Sequence, residues 1–185
     1  MILTIPNLLT LLRILIVPIF AISVMYGQLV GACALFALAA LTDLLDGFIA
    51  RLLDQASSLG AFLDPMADKL LMVTAFILLC IKSEHITLNI PAWVMILAIT
   101  RDVIIGLFAL QAYPNYDPSQ FRPSLLGKVT AVVEMAVIIL TLLHNAVGPA
   151  GRLDVVFPWT FYAVAFFVIV SGVHYFVRAT GSPRA

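Results

Sequence analysis

LTDLLDGFIARLLDQASSLGAFLDPMADKL, residues 41–70, is the stretch on which the reading of this chain turns. It sets Asp43, Asp46, Asp64 and Asp68 into surroundings that are otherwise strongly apolar. Asp43, Asp46, Gly47 and Ala50 stand at offsets 0, 3, 4 and 7, so on a helix they share one face. Gly60, Asp64 and Asp68 are each four apart and share a face of a second helix. Residues 52–59 suffice to reverse the chain between them. Two helices side by side then bring four carboxylates into one cleft. An ionised carboxylate near a bilayer centre costs on the order of 3 kcal/mol on insertion scales, so four cost roughly 10 kcal/mol unless cations lie among them.

Working outward, the whole chain is of the same apolar character. Of 185 residues, 63% are hydrophobic and only 11% are charged, against about 25% charged in soluble domains. A water-soluble core of this size cannot bury that much apolar surface, so the bilayer is the expected solvent. Formal net charge is zero, and no basic patch suggests nucleic acid. Cys33 and Cys80 each sit alone in an apolar run and read as small buried hydrophobes rather than as redox chemistry. The opening MILTIPNLLTLL lacks a basic n-region and a cleavage site, so a first membrane helix is expected rather than a removable signal.

Six spans are expected, at residues 8–26, 29–53, 60–81, 90–112, 125–147 and 155–177. The second runs on helically through the aspartates. Between the fourth and fifth, YPNYDPSQFRP at residues 113–123 forbids continuous helix. No internal repeat is visible, which argues against an inverted-repeat transporter. The expected architecture is all-α and integral to the membrane: one domain over residues 1–185, six transmembrane helices in one bundle. Placing both termini in the cytosol puts Arg51, Arg122, Lys128, Arg178 and Arg184 inside and only Lys82 and Arg152 outside, as the positive-inside rule prefers. The aspartate cleft then opens on the cytosolic side of a cell inner (plasma) membrane, or of a mitochondrial inner membrane in a eukaryote.

Carboxylate oxygens are the hard ligands that Mg²⁺, Mn²⁺ or Ca²⁺ prefer. Four of them without His or Cys suggest a two-metal site for a phosphate or pyrophosphate. Gly47, Ala50 and Gly60 remove side chains where a ligand must approach backbone closely. Arg51 offers a fork of donors to phosphate or to a neighbouring carboxylate. Two other readings compete: solvated, inert charges at the membrane edge, and an ion transporter using the carboxylates as a relay. Four aspartates at one-face spacing argue against the first, and clustering at one end of the spans argues against the second. A non-catalytic subunit with a fossil motif is opposed by the completeness of the motif.

The pattern from Asp43 to Asp68 resembles, without a mismatch, the signature of the CDP-alcohol phosphotransferases. These membrane enzymes move a phosphatidyl or substituted phosphoryl group from a CDP-linked donor to an alcohol and release CMP. The resemblance implies a six-helix fold, a homodimer and two divalent ions, Mg²⁺ or Mn²⁺, held by Asp43, Asp46, Asp64 and Asp68. It implies that Asp68 is the general base and that Gly47, Ala50, Arg51 and Gly60 line the CDP pocket. The donor is then CDP-diacylglycerol.

Outside the signature, the resemblance covers nearly the whole chain. IPNLLTLLRI at residues 5–14, with Asn7, Thr10 and Arg13, is similar to phosphatidylglycerophosphate synthases and to eukaryote-type cardiolipin synthases. TRDV at residues 100–103, RPSLLGKVT at residues 122–130 and the pair His174 and Tyr175 look more like the latter. The former tend to carry a Glu after the fourth-span Arg and a second Arg further on; here the string is RDVIIGLF, with Asp102. Glu134 departs from the Gln more usual in cardiolipin synthases. Phosphatidylglycerol is therefore the favoured acceptor, with glycerol 3-phosphate as the alternative. Arg101, Arg122, Lys128 and Arg178 are the cations expected to meet acceptor or lipid phosphate. Arg101 and Asp102 lie mid-span and are expected to be functional or paired. Arg13 could equally anchor the first helix, and Lys69 is expected to snorkel. Trp93 and Trp159 read as interfacial belt residues.

Overall fold

The computed structural model describes the backbone over residues 5–53, 58–112, 124–148 and 156–180, and side chains over 8–43, 66–107, 124–148 and 156–177. Among the described residues all regular structure is helical: α1 Ile5–Met25, α2 Leu29–Leu53, α3 Ser58–Cys80, α4 Ala92–Ala112, α5 Leu125–Val147 and α6 Phe157–Thr180. These stand where the six spans are expected. Among the described residues, Leu8–Met25, Leu125–Val147 and Phe157–Val177 are long and apolar enough to cross a membrane, while Leu29–Asp43 is a shorter apolar stretch. The Pro-rich segment at 113–123 lies outside the described residues.

Contacts group the chain into two compact units, Met1–Asn89 with Ile138–Ala150, and Ile90–Val137 with Gly151–Ala185. In the first unit α1 packs against both α2 and α3. Its inward stripe is Thr10, Arg13, Val17, Phe20 and Val24, all buried, at the alternating three- and four-residue spacing of one helix face. On the facing stripe of α2 the small residues Ala32 and Ala39 flank Phe36, and all three are wholly covered. Small side chains let helix backbones come close, which is the main source of packing energy in lipid. The opposite face of α1, with Leu8, Leu15 and Ile22, is exposed and apolar, as lipid contact requires.

α1 ends where Gly27 adopts φ +72°. Gly27 N–H donates to Val24 O at 3.1 Å and Gln28 N–H to Ser23 O at 2.8 Å, the paired bonds of a Schellman motif. A Cβ on Gly27 would meet the His85 ring at 2.7 Å. The loop after α3 is fastened by Asn145 near the end of α5. Asn145 Oδ1 accepts from the Thr87 and Leu88 amides, both at 2.8 Å, and its Nδ2 donates to Leu88 O at 2.9 Å and Thr141 O at 2.8 Å.

In the second unit α4 packs against α6, burying Val94, Ala98, Val164 and Val168. Trp93 and Tyr162 stack with ring centroids 5.7 Å apart, and Trp159 joins Tyr162 at 6.3 Å. α5 starts on a Ser124 cap, whose Oγ accepts from Gly127 N–H at 3.0 Å. Thr130 Oγ1, buried on α5, donates to Leu126 O at 2.8 Å and to Phe167 O of α6 at 3.2 Å.

Candidate metal and phosphate site

The four aspartates fall on two helices of the first unit, Asp43 and Asp46 on α2, Asp64 and Asp68 on α3. The helix-to-helix arrangement expected from the spacing is present at the level of the elements, since α2 and α3 touch each other and both touch α1. Side chains are described for Asp43 and Asp68, and both are half-buried. Those of Asp46, Gly47, Ala50, Arg51, Gly60 and Asp64 lie outside the described residues. Among the described residues no three His, Cys, Asp or Glu side chains gather at one point.

The described half of the site has one feature that spacing alone does not reveal. Arg13 of α1 has no exposed surface, and its guanidinium forms an ion pair with Asp43, Nη1 lying 2.8 Å from Oδ1. The pairing follows from the register of α1 against α2. Phe20 meets Phe36 with ring centroids 5.7 Å apart. Seven residues back along α1 is Arg13, and seven forward along α2 is Asp43. Two antiparallel helices kept in register over two turns, roughly 10 Å of rise, bring the charged pair together. The readable signal was Arg13's place on the stripe of Val17 and Phe20: a guanidinium on an inward face needs an anion.

A hard divalent cation suits this donor set. Asp43 and Asp68 offer only oxygens, on adjoining helices. Lys69, next to Asp68, is also half-buried.

The cations assigned to an acceptor belong to the second unit. Arg101 Nη1 donates to Asp102 Oδ1 at 2.7 Å, and its Nη2 to Ser171 Oγ at 2.6 Å. Glycines on two helices make room for it: a Cβ on Gly127 would lie 3.4 Å from Arg101 Nη2, and one on Gly172 3.8 Å from its Cγ. The expected mid-span pairing of Arg101 and Asp102 is therefore present, with Ser171 as a further partner. Lys128 is exposed on α5. Arg122 and the side chain of Arg178 lie outside the described residues. Glu134 is buried on α5.

Comparison with known proteins bears on what such a chain does. A family model described as CDP-alcohol phosphatidyltransferase matches residues 3–173. The CDP-diacylglycerol–glycerol-3-phosphate 3-phosphatidyltransferase of Pseudomonas fluorescens is 35% identical over 174 residues, covering 91% of this chain and 83% of its own length. A probable cardiolipin synthase (CMP-forming) of Drosophila melanogaster is 38% identical over 157 residues, 76% of this chain and 47% of the fly protein. A probable phosphatidylglycerophosphate synthase of Mycobacterium tuberculosis is 33% identical over 179 residues, 94% of this chain and 80% of that protein.

Proposed function

This chain belongs to the CDP-alcohol phosphatidyltransferase family, and on that premise we propose that it transfers the phosphatidyl group of CDP-diacylglycerol to phosphatidylglycerol, releasing CMP. It is a transferase of phospholipid synthesis; the donor, the acceptor and the residue roles are the reading offered here. The observation that supports it most is the complete signature, split between the adjoining helices α2 and α3.

Asp43, Asp46, Asp64 and Asp68 are the residues to hold two divalent cations, which when bound neutralise the pyrophosphate and the departing CMP. Asp68 takes the proton from the acceptor hydroxyl. The freed oxygen bonds to the β-phosphorus as the bond to the CMP oxygen breaks, so atoms and charge balance. Gly47, Ala50 and Gly60 admit the nucleotide close to the backbone, and Arg51 donates to phosphate. Catalysis is then mostly positioning and charge neutralisation.

Six crossings fit the helix lengths, since 21 residues of α-helix extend about 30 Å, the thickness of the hydrocarbon core. α2 has 25 residues, and the first charged residue along it is Asp43. The remaining turns of α2 then stand at the headgroups, where a lipid pyrophosphate lies, on the cytosolic side by the distribution of Lys and Arg.

Charge favours phosphatidylglycerol as the acceptor. Glycerol 3-phosphate brings a dianion, which calls for several free cations; phosphatidylglycerol brings a phosphodiester with one charge. Arg101 already answers to Asp102 and Ser171, and no second Arg follows in residues 102–108. Glycerol 3-phosphate remains the second reading, favoured by relatives that match along most of their length and are named for that acceptor. The test offers each acceptor separately to purified protein with CDP-diacylglycerol and Mg²⁺, and identifies the lipid formed. Cardiolipin is expected; product from glycerol 3-phosphate alone would overturn the assignment.

A further inference from the structure

We propose that Arg13 is a positioning residue for the metal site, holding the Asp43 carboxylate in the orientation from which it takes a divalent cation. This rests on the four-aspartate reading and extends it to α1, which carries none of the signature. Three observations support it. Arg13 is wholly covered, so it offers no surface to a lipid or a nucleotide. Its Nη1 lies 2.8 Å from Asp43 Oδ1, an ion pair removed from water on the arginine side. The α1–α2 register fixed by Phe20 and Phe36 delivers it there without any other adjustment.

A guanidinium with no access to water needs an anion for its own sake, so a purely structural ion pair is the competing account. Chemistry separates the two. Asp43 has two oxygens, and holding Oδ1 against the buried guanidinium leaves Oδ2 as the oxygen turned to a cation. Residues that orient a metal ligand in this way typically change metal affinity 10- to 100-fold when lost. The opposing effect is repulsion between Arg13 and a bound cation, which predicts tighter binding once Arg13 is gone. A structural pair predicts a less stable protein with unchanged affinity.

The experiment is a Mn²⁺ titration of purified full-length protein in lipid nanodiscs without substrate, following the EPR signal of free Mn²⁺. Wild type, Arg13→Gln, Arg13→Lys, Asp64→Asn and Asn145→Ala are compared. Arg13→Gln is expected to weaken Mn²⁺ binding at least tenfold. Arg13→Lys, which keeps the charge but not the planar fork, should fall between it and wild type. Asn145→Ala, which loosens the first unit away from the aspartates, should leave affinity unchanged. Wild-type affinity, or tighter binding, in Arg13→Gln would overturn the proposal. If Arg13→Gln does not fold, Arg13→Lys decides: several-fold weakening supports the proposal and wild-type affinity overturns it. Failure of the underlying reading looks different, because wild type itself would then bind no Mn²⁺ or Asp64→Asn would bind it unchanged.

Discussion

At the scale of single residues, charge placement carries the account. Asp68 and Lys69 are neighbours, yet on a helix they point about 100° apart, so they should respond differently to loss. Asp68→Ala is expected to abolish CMP release, by at least 100-fold, whereas Lys69→Ala should stay within a fewfold of wild type; steady-state CMP release measures both. Ser171 offers a milder test. Its hydroxyl accepts from Arg101 Nη2 at 2.6 Å, and a hydrogen bond to a charged group contributes about 1.5–3 kcal/mol. Ser171→Ala should therefore lower the thermal midpoint by several degrees. Residue types and spacing made the aspartates legible in the sequence, because four acids in an apolar stretch cannot be accidental to a membrane helix. Arg13 was less legible. Its partner depends on how α1 lies against α2, and one chain read alone gives helix faces but not the register between them.

At the scale of elements, the helices were readable as long apolar runs. Gly27 closes α1, and Pro-rich sequence separates α4 from α5. Gly27→Ala should be costly twice over, through the left-handed φ of +72° and through the His85 ring 2.7 Å from the new Cβ. A loss of roughly 1–3 kcal/mol is expected, read as a lower unfolding midpoint with unchanged helical content. The clamp at Asn145 was not legible. Its side chain binds Thr87 and Leu88, 58 and 57 residues away in the chain, and nothing in a polar residue near a helix end announces so remote a partner. Asn145→Ala leaves two loop amides without their acceptor, which should cost about 2–4 kcal/mol and speed proteolysis between α3 and α4.

At the scale of the whole molecule, α2 and α3 are read as a hairpin of two full crossings whose junction meets the cytosol. In a variant lacking Cys33 and Cys80, a cysteine at Ser83 should react with an impermeant maleimide from outside intact cells, and one at Ser124 only after the membrane is opened. Hydropathy made the class of protein legible, while the acceptor depends on a few cations whose availability is set by neighbours such as Asp102. The central claim is that acidic side chains from α2 and α3 bind divalent cations and thereby act on a CDP-linked lipid. Its most direct test is CMP release from CDP-diacylglycerol by protein stripped with EDTA, before and after Mg²⁺ or Mn²⁺ is returned, with Asp64→Asn alongside. The account predicts no release from stripped protein, recovery on adding metal, and none from Asp64→Asn in either state. Equal release in all of these conditions would contradict it.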